Sequence, residues 1–426
     1  MQKVLIVTYY WPPAGGPGVQ RWLYFASYLP EFGVEPVVYT PENPHYPLRD
    51  EGFTDQVPPG IRVLRKKIWE PYHLAKWLSR RKTQRISAGI INRDRPSRVE
   101  RLLLWIRGNF FIPDARRFWV RPSVRFLSKV LREEGIHTLV TTGPPHSMHL
   151  IGLELKEKTG VRWVADFRDP WTSIGYHEAL LPGKRANKKH RALEQKVLRQ
   201  ADHIITTSET TRDEFRHLTR RPIQVITNGF TGSPNRKEQP EGPFILAHIG
   251  SLLSGRNPVP LWQGLKNLLA RHDGLRQDLR IELTGLVSDE TQRSLRAHGL
   301  EPYVTITPYV SHGEALELQR KAQVLLLPEI DSPKTVGIIP GKLFEYLAAS
   351  RPILAIGPPG WEAGRIVVEC GSGAAYGYGQ ENEIESQLLQ WYRSFRNGTL
   401  EVAGVGVSRY HRRELAKRLA EEVLWE

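Results

Sequence analysis

Cysteine is almost absent from this chain: Cys370 is the single one in 426 residues. No intrachain disulfide can form, and this usage fits a reducing compartment. Long apolar runs are lacking too. None approaches the roughly 18–20 residues that a membrane-spanning helix needs. The apolar part of MQKVLIVTYYWPP is too short for a signal peptide and reads as a first strand. A cytoplasmic protein is expected. Cys and His nowhere gather at metal-ligand spacing, so no metal site is expected. There is no GxSxG nucleophile elbow. No aspartate pair of the DxD type occurs where a metal-bound sugar nucleotide would want one, since Asp166 and Asp169 are three apart.

Acidic residues are the other shortage: 45 Asp and Glu against 60 Lys and Arg, a net +15. The excess is local. Between Ile61 and Arg101, thirteen basic residues face three acidic ones, a net +10 in under a tenth of the chain. Trp69, Tyr72, Trp77, Trp105 and Phe110 are interleaved with the charges. Such a mix suits an anionic membrane surface, a nucleic acid or a solvated insertion. No nucleic-acid motif accompanies it, so no nucleic-acid partner is expected.

What is present is the alternation of strand-like and helix-like segments that makes parallel α/β sheets. Val4–Thr8, Pro36–Thr40, Thr138–Thr142, Arg162–Asp166, His203–Thr207 and Ile223–Thr227 read as strands. Val19–Phe32 reads as a helix with Trp22, Phe25, Ala26 and Leu29 on one face and Gly33 as its stop. The stretch TGSPNRKEQPEG, Thr231 to Gly242, is polar and rich in turn formers, the best linker candidate. Beyond it the pattern restarts with Phe244–Ile249, Arg280–Thr284, Val304–Thr307 and Val324–Leu327. The length alone favours two domains. The expected architecture is α/β with two Rossmann-like domains. Residues 1–230 form the first, with a basic insertion at about 61–120, and 231–407 the second. A C-terminal helix, 408–426, could pack on either, including back on the first.

Three segments carry candidate chemistry. GIIPGKLFEYLAASRPILA, Gly337 to Ala355, sets a glycine-bearing loop against a helix expected to begin near Gly341 or Lys342. A helix N-terminus offers free N–H groups and a positive dipole end to a phosphate. Lys342 adds a cation, and Glu345 could accept hydrogen bonds from sugar hydroxyls. An ordinary loop and helix would look the same. HIGSLLSGRNP places Gly250 and Ser251 after a strand and Arg256 before a helix, which makes a diphosphate clamp if Arg256 and Lys342 converge. In the first half, TYYWPPAGGPGVQRW follows the first strand. Gly15 and Gly16 permit close backbone approach to a ligand, although the spacing is neither a dinucleotide fingerprint nor a P-loop. DFRDPW brings Asp166, Arg168 and Asp169 to a strand tip. Arg168 could hold a phosphate or pair with either aspartate, and the group could equally be a structural ion cluster. His146, in GPPHSMHL at a helix start, could be a hydrogen-bond partner, an acid/base or a cap neighbour.

Taken together, these segments resemble a family-4 retaining glycosyltransferase of the GT-B fold over nearly the whole chain. Gly15 and Gly16, Asn228-Gly229, Gly250 with Arg256, and GKLFEYLAASRPILA carry the resemblance. The wording PPAGGPGVQRW, GPPHSMH, DFRDPW and GRNP is similar to a bacterial subgroup associated with cell-envelope polysaccharide assembly. The resemblance implies two domains facing across a cleft and transfer of a sugar, with retention, from a nucleotide diphosphate donor, a UDP- or GDP-sugar, to a glycan or lipid-linked acceptor. No other cofactor is implied. Gly15, Gly16, Gly250, Ser251, Arg256, Gly341, Lys342 and Glu345 would bind the donor. Arg256 and Lys342 would stabilise the leaving diphosphate, while Asp166, Arg168, Asp169 and His146 would line the acceptor side. The family's first donor-site glutamate would fall at Gly337, so Lys342 or the amides of Gly337 to Gly341 would have to replace it. A peripheral position on the inner face of the membrane would suit a lipid-linked acceptor. The same fold would also serve a sugar-nucleotide epimerase or a phosphorylase, and the basic run a non-enzymatic binding protein.

Overall fold

The computed structural model describes residues 1–70, 98–174, 177, 180–234 and 242–425. Most of the basic run, with Arg80, Arg81 and Lys82, and the middle of the linker lie outside the described residues. The chain divides into two compact units, Met1–Asn228 with Arg412–Glu426, and Gly229–His411.

The first unit is built on a seven-stranded sheet: β1 Gln2–Val7, β2 Val34–Pro41, β3 Arg62–Lys66, β4 Thr138–Gly143, β5 Arg162–Phe167, β6 His203–Thr206 and β7 Ile223–Val225. Its order is β3-β2-β1-β4-β5-β6-β7, with every pairing parallel. The central strands are buried on both faces, which is why they read as continuous apolar runs. The helix Pro17–Tyr28 starts at Gly16, whose φ of 85° suits glycine, and its 3-10 extension Leu29–Phe32 stops at left-handed Gly33. The last helix, Arg412–Leu419, packs on Pro17–Tyr28. There the guanidinium of Arg412 lies 4.0 Å from the Tyr24 ring centre and donates to Gln20 Oε1.

The second unit holds a six-stranded sheet: β8 Phe244–Ile249, β9 Leu279–Thr284, β10 Val304–Thr307, β11 Val324–Pro328, β12 Ile353–Ile356 and β13 Gly373–Tyr376. Its order is β10-β9-β8-β11-β12-β13, again parallel throughout. In each sheet the order reverses at one place, between β1 and β4 and between β8 and β11. Loops leaving the carboxyl ends of such strands form a crevice, the usual ligand position of open α/β sheets.

Among the described residues three elements stand inside the stretch expected to be an insertion: β3, the helix Arg98–Phe110 and the 3-10 helix Ala115–Trp119. In that helix Leu104 and Gly108 are buried, while Leu102, Leu103, Trp105 and Phe110 are exposed. Most of its large apolar residues are exposed and only Leu104 is buried, so the pattern could not signal a helix by its core-facing stripe.

Candidate functional site

In the second unit the two loops at the strand-order reversal carry the cations. Gly250 follows β8 with φ of 120°, outside the reach of most side chains, and a Cβ there would sit 2.5 Å from Lys342 Nζ. Glycine is what lets the lysine lie across the strand end. Lys342 opens the helix Lys342–Ala349, with Gly341 before it and no side-chain cap; the amides of Leu343 and Phe344 donate to the carbonyls of Pro340 and Gly341. Ser251, next to Gly250, is exposed.

Lys342 Nζ is 3.2 Å from His248 Nε2, and His248 Nδ1 is 2.9 Å from the Leu326 carbonyl. The carbonyl requires a proton on Nδ1, leaving Nε2 to accept from the lysine. Burial, reinforced by Lys342, lowers the His248 pKa to about 3, so its imidazole is neutral. Burial, followed by the positive field of Arg256, lowers the Lys342 pKa to about 7, against the opposing pull of Glu329 and Glu345. Arg256 is thus near enough for its charge to lower the Lys342 pKa.

Arg256 is held by a residue that the sequence reading missed. Glu329, the residue after β11, receives Arg256 Nε on Oε1 at 2.8 Å and Nη2 on Oε2 at 3.1 Å. The glutamate side chain has no exposed surface, whereas that of Arg256 keeps 30%. Glu345 lies one turn into its helix and binds two residues of the helix His312–Lys321. Its Oε1 is 2.9 Å from His312 Nε2, and Oε2 accepts from Gln319 at 3.2 Å. Gly337 lies in the loop between them. That loop is braced by Trp361 Nε1 donating to the Ile338 carbonyl at 2.7 Å and by Thr335 donating to the Ile330 carbonyl.

The first unit gathers Gly15, Gly16, His146, Asp166, Arg168 and Asp169 at the carboxyl ends of β1, β4 and β5. Gly15 donates to the Leu48 carbonyl at 2.9 Å, and Gly16 caps the following helix. Asp166 is fully buried and saturated. Arg21 donates to it through Nε at 3.1 Å and Nη2 at 2.8 Å, Trp22 Nε1 at 2.7 Å and Thr142 at 2.8 Å. Arg21, not Arg168, is therefore the cation paired with Asp166. Although burial opposes it, this set holds the carboxyl below the usual carboxylate range.

Arg168 donates instead to backbone carbonyls, of Gly18 at 3.0 Å, of Gly143 at 3.4 Å and of Pro144, and lies over the Tyr10 ring. It ties the first turn of the helix Pro17–Tyr28 to the end of β4 and the loop after it. Burial raises the carboxyl of the neighbouring Asp169 above its usual range. His146 stacks flat on Trp171, with ring centres 4.8 Å apart. Burial, then His149 and Arg168, keep its imidazole far below its ordinary pKa, so it is neutral.

Arg21, Glu329 and His248 had one faint signal in the sequence: each lies beside a strand end or loop that was itself singled out. Their partners are 145, 73 and 94 residues away.

The fold is shared with solved structures at low identity. Sucrose-phosphate synthase from Thermosynechococcus elongatus matches with a TM-score of 0.63 at 13% identity, covering 100% of this chain and 99% of that one. Anabaena HepE, solved in complex with UDP-glucose, gives 0.62 at 14% identity and full coverage of both chains. WaaG, a glycosyltransferase involved in lipopolysaccharide biosynthesis, gives 0.54 at 14%, covering 98% and 95%. No curated protein matches the chain significantly. The glycosyl transferase 4-like domain matches residues 15–229, just over half of the chain. The chain thus belongs to the glycosyl transferase 4-like family and has the GT-B fold.

Proposed function

We propose that this glycosyltransferase moves a hexosyl group, with retention, from a UDP- or GDP-sugar to the hydroxyl of a glycan or lipid-linked acceptor in cell-envelope assembly. The observation that carries the reading is the second unit's loop pair. Arg256 and Lys342 flank Gly250 at the reversal of strand order, beside an uncapped helix start, and Glu345 stands one turn further along. Two cations and the positive end of a helix suit a diphosphate, and a carboxylate beyond them suits the ribose hydroxyls. HepE, of the same fold, was solved with UDP-glucose.

As the bond from sugar to diphosphate breaks, negative charge grows on the leaving oxygen. Fixed cations at that point lower the barrier because they need no reorganisation. The leaving diphosphate then takes the acceptor proton on the same face of the sugar, which gives retention without a protein nucleophile. In the first unit, Arg168 and Asp166 act by holding loops, and His146 and Asp169 are the groups left to meet an acceptor.

A thermal-shift screen against UDP-, GDP-, ADP- and dTDP-sugars tests the donor, because a bound ligand stabilises the native state. A shift with none of them would refute the reading. Product analysis with donor alone separates transfer from epimerisation, which needs no acceptor.

A lipid-linked acceptor also calls for an anionic membrane surface as partner. Exposed Trp105, Phe110 and Phe118 lie among Arg101, Arg107 and Arg117, a composition suited to a lipid interface. Co-sedimentation with anionic vesicles should fall when Trp105 and Phe110 are both replaced by Ser. Unchanged binding counts against this face.

A further inference from the structure

We infer that Glu329 is a positioning residue for donor recognition: its carboxylate fixes one edge of the Arg256 guanidinium so that the other edge is presented to the diphosphate. The inference rests on the donor site proposed above and adds the residue that sets its geometry.

An isolated buried carboxylate is strongly unfavourable unless it is ion-paired and hydrogen-bonded. Glu329 meets both conditions. Its Oε1 accepts from Arg256 Nε at 2.8 Å and from the Ile330 amide at 2.8 Å, and its Oε2 accepts from Arg256 Nη2 at 3.1 Å. The Glu329 carbonyl accepts from Tyr378 Oη at 2.9 Å, which ties down the backbone as well. A two-point guanidinium–carboxylate contact fixes the plane of the arginine, not only its distance.

The remaining donors decide the direction. Arginine carries five N–H groups in a rigid fork, and this contact uses the Nε edge. Both hydrogens of Nη1 and one of Nη2 are left over. The pair is also lopsided in exposure: Glu329 has none, while Arg256 keeps 30%. The open side of the pair is therefore the arginine's unused edge. A lysine at position 256 would carry the same charge but could not be held this way.

Glu329 has a second effect on the same site. Lys342 is faced by His248 from β8, Arg256 from the loop after β8, Glu329 from the loop after β11, and Glu345 from its own helix. Glu329 offsets part of the field of Arg256 and so helps Lys342 keep its proton. One carboxylate would thus orient one cation and sustain the charge of the other.

The test is titration of UDP and GDP into wild type, Glu329→Gln, Arg256→Lys and Arg256→Ala, with affinity followed from pH 6 to 9. Loss of an oriented charge-assisted contact predicts Kd raised about tenfold to a hundredfold in Glu329→Gln and in Arg256→Lys. KM for the sugar nucleotide should rise in parallel. In Glu329→Gln the pH at which affinity declines should also move downward. A merely structural role would lower the melting temperature and leave Kd and the pH midpoint unchanged, which would overturn the inference. Tighter binding in Glu329→Gln would overturn it too, because the glutamate would then be competing with phosphate for the arginine. Should Glu329→Gln fail to fold, Arg256→Lys decides alone: wild-type affinity there refutes the need for a fixed fork. Unchanged affinity in Arg256→Ala would instead refute the donor site itself.

Discussion

Donor binding should take up a proton, and Lys342 is the reason. In the free site burial and Arg256 lower its pKa to about 7, so at neutral pH about half of the molecules lack the charge. A bound diphosphate places negative charge beside Nζ and restores the proton. The binding-competent fraction is then the protonated one, and apparent affinity scales with it. Above pH 7 that fraction falls about tenfold per unit, so Kd should rise by the same factor per unit until the pKa of the bound state is reached. Below about pH 6 affinity should level off.

The assay is calorimetric titration of UDP-glucose, whose diphosphate stays ionised throughout this range, from pH 6 to 9 in buffers of different ionisation enthalpy. Uptake should approach one proton per site at pH 8 and vanish at pH 6. Lys342→Met should bind weakly and without a pH slope. An affinity that does not change between pH 6 and 9, with no buffer-dependent heat, would refute the reasoning.

The same lysine predicts a stability effect of opposite sign. Its folded pKa lies below its unfolded value, so the folded state binds fewer protons and the penalty grows as pH falls from about 10 to 7. Lys342→Met should therefore stabilise the ligand-free protein at pH 7 by about 1–4 kcal/mol, read by urea unfolding, and a loss would contradict the burial argument. Asp166→Ala leaves Arg21 buried without its carboxylate and should lower stability by about 3–5 kcal/mol; a change within experimental error would mean that the cluster is not structural. Gly250→Ala meets both the φ of 120° and the Lys342 ammonium, so it should weaken UDP-glucose binding with little effect on the melting temperature of the first unit. Unaltered binding would mean that the strand end can move aside.

Much of the fold was readable because the local rules agree with the tertiary outcome. The face of Trp22, Phe25, Ala26 and Leu29 is buried, Gly33 ends that helix, and Gly341 precedes the one at Lys342. The helix Arg98–Phe110 escaped because most of its large apolar side chains, Leu102, Leu103, Trp105 and Phe110, are exposed and only Leu104 is buried. The site was legible in its cations and glycines, which sit in loops next to strand ends. It was not legible in its partners. Asp166 offered Arg168 as a neighbour two residues away, yet parallel crossovers bring Arg21 to it across 145 residues. β5 ends at Phe167, so Arg168 leaves with the following loop, and only the folded sheet brings the helix Pro17–Tyr28 to Asp166. Glu329 follows VLLLP with nothing local to mark it, and its role emerges only when β11 is placed beside β8.

Titration of the best-stabilising nucleotide sugar into wild type, Arg256→Ala and Glu345→Ala addresses the donor site most directly. Both variants should stay folded and lose affinity by about tenfold or more, as expected for removal of a contact to a charged or hydroxyl-rich ligand. Wild-type affinity in both would place the donor elsewhere and contradict the assignment of the second unit's loops.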